Sequence, residues 1–365
     1  MKTLSGFRKL HFARPVPGTT LKPLADPYLP GAPFSSPVSR PYLAITALGL
    51  NNTLELPVFL VALFIIALIL LIVLLVRAYS PRAPKNGERP AWTAQFGPDV
   101  LAKLPNREMP PRWKPERRAM VLLKVGAENR GELLSGEDPG RVVETIRAFQ
   151  QDMGGLILDR NGALLHQQDF ALSAAFGIPY PSEGREVAAC RAALDVLEAG
   201  NEKGRAVRVC LVSGEGICGN LNGVRNAPYG VAGRIVSRAE HLHSLNGFYG
   251  TPLLVDAATY GKINGQALAR PVDKIVFPGE KEPENLYQIL GLNADSVPVS
   301  TRELVQHFQN GHQHYLERNW DWAMNLFRQA LQIDRNDHLS RLYILRCQNF
   351  MKNPPGPLWE GVYAP

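Results

Sequence analysis

The chain is poor in cysteine and has no closely spaced pair. Cys190, Cys210, Cys218 and Cys347 are its four. Without a C-x-x-C spacing, neither a zinc knuckle nor a disulfide framework organises the fold, and a reducing compartment suits the soluble part. Histidine spacing is equally unhelpful for metal. His241 and His243, and His312 and His314, are i,i+2 pairs. On a helix such residues point about 200° apart and cannot close on one ion. The Gly-rich run SGEGICGNLNG (213–223) lacks the Lys-Ser/Thr of a phosphate loop and falls between two apolar runs, so it reads as a hairpin. Glu215 within it has no partner base or nucleophile nearby in sequence and reads as a hairpin or interface residue. No metal and no cofactor is expected.

Concentrated positive charge is also missing. The net charge of +7 is scattered. The first 55 residues set Lys2, Arg8, Lys9, Arg14, Lys22 and Arg40 against Asp26 and Glu55. This suits a solvated or membrane-facing arm, and no nucleic-acid partner is expected. Between Leu56 and Val76 there is no charge at all: LPVFLVALFIIALILLIVLLV. As a helix this run is about 31 Å long, against a hydrocarbon core about 30 Å thick. It lies too far from the start for an ordinary signal peptide, and no small-residue cleavage site follows. Arg77, Arg82, Lys85 and Arg89 follow it closely, whereas Arg40 is the nearest basic residue before it. The expectation is a single membrane span over 56–77, with the C-terminal side cytoplasmic and the N-terminal arm outside.

The rest of the chain divides by composition. Residues 1–55 are Pro-rich and are expected to be a disordered arm. Asn51-Asn52-Thr53 matches a glycosylation sequon, a pattern common by chance. Residues 78–116 carry eight prolines, among them Pro81, Pro98 and Pro115, and read as a stiff linker. From 117 to 292 the pattern is globular. AMVLLKV (119–125) predicts a buried strand. Asp138-Pro139 starts a helix and Gly154-Gly155 ends it. LILDRNGALLHQQDFALSAAFG reads as strand, turn, strand. Residues 185–200 predict a helix ended by Gly200. AVRVCLVSGEGICGNL predicts two strands around a turn at Gly214, residues 233–245 a helix, and TPLLVDAATYGKI a short strand then a helix. The order implies an α+β fold, helices covering one antiparallel, ferredoxin-like sheet. Residues 300–365 read as helical. Gly311, Trp320, Ala323, Phe327 and Ala330 have the spacing of one tetratricopeptide repeat. A lone repeat cannot bury its faces and is expected to dock on the preceding domain or on a partner.

Five segments of the globular region, in order, resemble the class III adenylate/guanylate cyclase catalytic domain: AFGIP (175–179), SGEGICGNLNG (213–223), YGVAG (229–233), YGTPLLVDAATY (249–260) and FPGEKEPENLYQILG (277–291). The end of the chain, with Pro354-Pro355, Trp359 and Gly361-Val362, is similar to the helical extension behind some membrane cyclases. The resemblance implies a site between two head-to-tail domains, where two aspartates hold two metals on a triphosphate. An asparagine and an arginine from the other subunit stabilise the transition state.

Here those positions carry other chemistry. The first metal aspartate falls on Lys124. The second falls on Phe170, or on Asp169 if one residue is inserted. The asparagine position is Ser237 and the arginine position His241. The base-reading aspartate position is Pro228, and the lysine position lies near Leu165 or His166. A cation in place of a metal ligand reverses an interaction of roughly 4 kcal/mol per charge at about 4 Å, and one carboxylate beside a lysine is a poor two-metal site. Lys124 is left with either a salt bridge or an anionic ligand. Both complementary sets are lost, so neither composite site is complete even beside a competent partner. The expectation is a membrane-anchored, catalytically inactive cyclase-homology protein that dimerises with itself or with another such protein, in signalling or as a scaffold. The alternatives are a divergent active cyclase, with Asp169 as residual ligand, and an adaptor whose helical tail binds a protein client.

Overall fold

The computed structural model describes residues 42–45, 54–79, 91–104, 113–135, 138–221 and 229–362. The chain forms two compact units, 1–83 and 84–365. Asn51-Asn52-Thr53, Pro228 and most of the N-terminal arm lie outside the described residues.

In the first unit β1 (Tyr42–Ile45) pairs antiparallel with β2 (Leu54–Pro57), so the expected structureless arm contains a hairpin. Bulky apolar residues in both segments favour extended pairing. Helix α1 follows over Val58–Tyr79. Its side chains are described from 60 to 72 and are almost all exposed, a length of about 20 Å. Among the described residues no helix is long and apolar enough to cross a membrane. The expected span over 56–77 extends beyond the described side chains at both ends.

The second unit is an α+β domain. The expected stiff linker is folded in part. Residues Ala91–Gln95 form a 3-10 turn and α2 covers Pro98–Ala102. Phe96, Val100 and Leu104 are buried, because an apolar residue every fourth position gives this short segment a face to dock. There follow β3 (Glu116–Ala127), α3 (Arg130–Leu134), α4 (Pro139–Asp159), β4 (Ala163–Gln168), β5 (Ala171–Phe176) and α5 (Arg185–Glu202). Next come β6 (Val207–Gly219), β7 (Gly230–Ala232), α6 (Arg234–Tyr249), β8 (Leu253–Val255), α7 (Ala257–Ile263), β9 (Ala267–Ile275) and β10 (Glu284–Leu292). The tail is α8 (Val299–Leu316), α9 (Trp320–Ile333) and α10 (His338–Lys352).

The strands build one eight-stranded sheet in the order β4-β5-β3-β6-β8-β10-β9, with β7 added on β6. Its pairings are antiparallel except β6 with β8, which is parallel, so the expected all-antiparallel sheet is corrected to a mixed one. The connection through α6 accounts for this, since a crossover helix returns the chain in the same direction. Alternation along β3 sorts the two faces. Val121, Leu123 and Val125 meet α4 and α5 through Phe149, Met153, Ile157, Ala189 and Val196. Met120 and Leu122 meet α6 through Ile235, Ala239 and Leu242, in a core that continues into the tail.

Three further expectations change. Helix α4 does not stop at Gly154-Gly155. Gly154 is buried, and a Cβ there would lie 3.3 Å from Leu164 Cδ1, so its small size serves packing on β4. LILD is the last turn of α4, and the strand begins at Ala163. There is no turn at Gly214: β6 runs unbroken and pairs with β3 from Glu116↔Cys218 to Ala127↔Val207. Gly216 instead lets α6 approach the sheet. A Cβ on Gly216 would lie 3.1 Å from both Ile235 Cγ2 and Met120 Cε.

The tail docks on the domain as expected, through polar contacts as well as apolar ones. Arg270 on β9 donates to Asp337 from Nη1 (2.9 Å) and Nη2 (2.5 Å), and Arg346 on α10 donates to Asp273 (2.6 Å). Tyr249 Oη donates to Asp273 (2.8 Å) and Tyr343 Oη to the Val272 carbonyl (2.9 Å). Gly311 lies under Phe327, where a Cβ would meet the ring at 2.8 Å.

Candidate functional site

The positions singled out above sit on β3, on the β4–β5 turn and on α6. Lys124 lies on the α6 face of β3, paired across the sheet with Ser173 and Cys210. Its ammonium forms an ion pair with Glu240, one turn before Ser244 on α6. Of the two fates open to Lys124, the structure gives the salt bridge. His243 lies over the same strand: a Cβ on Gly126 would meet its ring at 2.8 Å. Burial, and then the Lys124 charge, hold the His243 imidazole below its ordinary pKa, and among the described residues its buried Nε2 has no hydrogen-bond partner. Burial likewise pushes the neighbouring Cys210 thiol up. The corner of sheet and helix therefore holds one ion pair and two neutral side chains.

The β4–β5 turn separates Asp169 from Phe170. Phe170 is fully buried and packs edge-on to Phe149 at 5.6 Å. Asp169, at φ 49°, turns outward and accepts a hydrogen bond from Arg130 Nη2 at 2.5 Å. Gln150 Nε2 donates to the Asp169 carbonyl at 3.1 Å. A phenyl ring inside the core and a carboxylate already held by a guanidinium do not fit a pair of divalent cations. Lys124, with its charge committed to Glu240, does not fit one either. Among the described residues no group of three His, Cys, Asp or Glu could hold a metal ion.

On α6, Ser237 is exposed and His241 packs edge-on to Phe277 at 5.9 Å. His241 and His243 point to different neighbours, Phe277 and Gly126. Leu165 is partly buried against the core, at an irregularity in the β4–β5 register, while His166 is exposed beside Gln168 at 3.4 Å. Glu215 is exposed on β6 opposite Ala119. In the tail, His314 lies 3.4 Å from Glu317, and His312 is partly buried among Phe308, Tyr315 and Tyr343.

Sequence reasoning missed the strongest charged cluster, which lies one turn from His241. Arg238 donates to Glu280 (2.7 Å), to Glu284 (2.5 Å) and to Asp256 (3.4 Å), with its guanidinium 3.9 Å from the Phe277 ring centre. Asp256 is buried and caps α7. It accepts from Thr259 N (3.0 Å), Thr259 Oγ1 (2.5 Å) and Ser213 N (3.3 Å). Burial pushes its carboxyl up to about 6 against the opposing Thr259 hydrogen bonds. The Asp-x-x-Thr capping spacing before AATYGKI was the available signal. Glu280 and Glu284 carry no such local signature. The cluster ties Arg238 to three acids of its own chain.

An open groove of about 510 Å³ lies in the tail, its lining including Arg318, Trp320, Trp322, Phe350, Met351 and Pro354.

No family model matches the chain. It is similar to the terminal-differentiation specific adenylate cyclase of Dictyostelium discoideum, 26% identical over 135 residues, 36% of this chain and 6% of that protein. The chain thus matches only a small part of that relative's length. Among solved structures it is similar to the adenylyl cyclase CyaB from P. aeruginosa (TM-score 0.44, 18% identity, 50% of this chain and 100% of that one). It is similar also to the guanylyl cyclase Cya2 (TM-score 0.42, 18% identity, 50% and 96%) and to a bacterial light-regulated adenylyl cyclase (TM-score 0.46, 15% identity, 54% and 60%).

Proposed function

We propose that residues 117–292 are a catalytically silent cyclase-homology domain, held at a membrane by the apolar segment 56–77 and serving as a dimerising scaffold in signalling. The observation that carries the reading is the fate of the two metal-ligand positions. Lys124 is committed to Glu240, and Phe170 lies inside the core. The carboxylate beside Phe170, Asp169, is occupied by Arg130. Replacing ligands by a bound cation and a buried ring removes the charge that would gather magnesium and a triphosphate. The partner positions on α6 are likewise changed, to an exposed serine and a ring-packed histidine. The sheet, its helices and the docked tail remain as a platform.

The test is an assay of the purified full-length chain with ATP or GTP and Mg²⁺ or Mn²⁺. No cyclic nucleotide is expected. Turnover that disappears in Asp169→Asn would overturn the reading in favour of a divergent active enzyme. A second reading, a tail that binds a protein client, is favoured by one observation: Trp322 is 66% exposed at the rim of the tail groove.

A further inference from the structure

The segment before the domain grips the corner that leads into α6. Gln95 acts as a clamp between two elements far apart in sequence. Its Oε1 accepts from Tyr229 N at 3.0 Å, and its Nε2 donates to the carbonyls of Leu164 (3.1 Å) and Tyr229 (3.4 Å). The next residue, Phe96, forms an antiparallel bridge with Ala163 and is 3% exposed. Its ring meets Trp113 at 5.3 Å and Tyr229 at 5.8 Å, and Trp113 meets Tyr229 at 4.8 Å. Gly97 then crosses the end of α4 so closely that a Cβ would lie 2.3 Å from the Leu158 carbonyl oxygen. Asp99 accepts from Asn161 at 2.9 Å, and Val100 and Leu104 are buried beyond it.

Tyr229 is the residue on which this grip converges, and it immediately precedes β7. Three residues of β7 and Gly233, at φ 117°, lead straight into α6. That helix carries Ser237, Arg238, Glu240 and His241. Among the described residues β7 pairs only with the end of β6, from Ile217↔Ala232 to Gly219↔Gly230. A three-residue strand with one neighbour has few hydrogen bonds of its own, so its position depends on what holds its entry.

We propose that residues 91–104, with Trp113, are a strap that sets the position of the β7–α6 corner, so that displacing the strap loosens the start of α6. The inference does not rest on the cyclase reading, since it concerns only how the corner is held.

Hydrogen–deuterium exchange on the full-length chain tests it, with two variants that disturb the strap at different ends. Gln95→Ala removes the clamp on Tyr229 directly. Gly97→Ala pushes the strap off α4 without touching Tyr229. Both are expected to raise exchange at residues 229–237 about tenfold, the loss of one or two hydrogen bonds, while 121–125 and 209–212 stay protected. Exchange at 229–237 that is unchanged in either variant would overturn the proposal. So would a uniform rise across the whole domain, which would make the segment an ordinary part of the core.

Discussion

Glycines within one short motif do different work, and substitutions separate them. Gly219 ends β6 at φ 143°, and a Cβ there would lie 2.9 Å from Pro115 Cα and 3.0 Å from the Lys114 oxygen. Both neighbours are backbone and cannot swing aside. Gly219→Ala is expected to cost about 1–3 kcal/mol, read as a lower urea midpoint at unchanged slope. Gly216→Ala meets only the ends of Ile235 and Met120 side chains, which can move by a few tenths of an ångström, and is expected to cost less than about 1 kcal/mol. The motif was legible as Gly-rich, but the reason for each glycine was not. A hairpin and a close helix crossing both demand small residues, and only the partner strand and α6 distinguish them. The same limit applies at Lys124. The lysine itself is visible in sequence, whereas Glu240 becomes its partner only once α6 folds over β3.

At the scale of elements, the tail helices carry a pH dependence. His312 is partly buried against Phe308, Tyr315 and Tyr343, and loss of solvent, with a smaller effect of Arg346, lowers its pKa to about 4. An unfolded histidine titrates near 6.5. The folded value is the lower one, so the unfolded chain binds the extra proton. This group costs nothing above pH 6.5 and destabilises progressively as pH falls toward 4. At pH 5 the loss is about 2 kcal/mol. Melting followed by circular dichroism is expected to show a lower midpoint at pH 5 than at pH 7, and His312→Phe is expected to flatten that difference. An unchanged difference in the variant would remove His312 as its source. Asp337 adds to acid sensitivity at lower pH. Burial raises its carboxyl, but the Arg270 pair and the Ser340 hydrogen bonds outweigh that and leave it below its ordinary range. Its contribution is therefore lost as pH falls below about 4. Element identity was mostly legible from periodicity in this part of the chain. Element ends were not. Gly154-Gly155 looked like a stop because glycine disfavours helix interiors, yet packing against Leu164 kept α4 going to Asp159.

For the whole molecule, the decisive feature is what lies between the sheet and the tail. Arg270, Asp273, Asp337 and Arg346 are each 4% exposed, 3%, 7% and 2%, so the two ion pairs that join them are shut away from water. The docking of the tail was foreseeable, because an isolated helical hairpin leaves apolar faces bare. Its charged joints were not, since Arg270 and Asp337 are 67 residues apart and nothing local marks them as partners. A tail that merely displayed a client-binding surface could be removed without harm. This one cannot be removed cleanly, because a chain ended at Val297 leaves Arg270 and Asp273 on β9 without their ion-pair partners and takes Tyr343 off Val272. Breaking a buried pair by removing one partner costs about 3–5 kcal/mol, and two such losses rival the 5–15 kcal/mol that holds an ordinary domain together. The truncated chain is expected to lose its cooperative melt or to aggregate, while the double variant Arg346→Met with Asp273→Leu, which replaces one pair by apolar groups within the intact chain, is expected to melt cooperatively. A truncated chain that melts as the full chain does would instead make the tail a separable module and turn the balance toward a client-binding role.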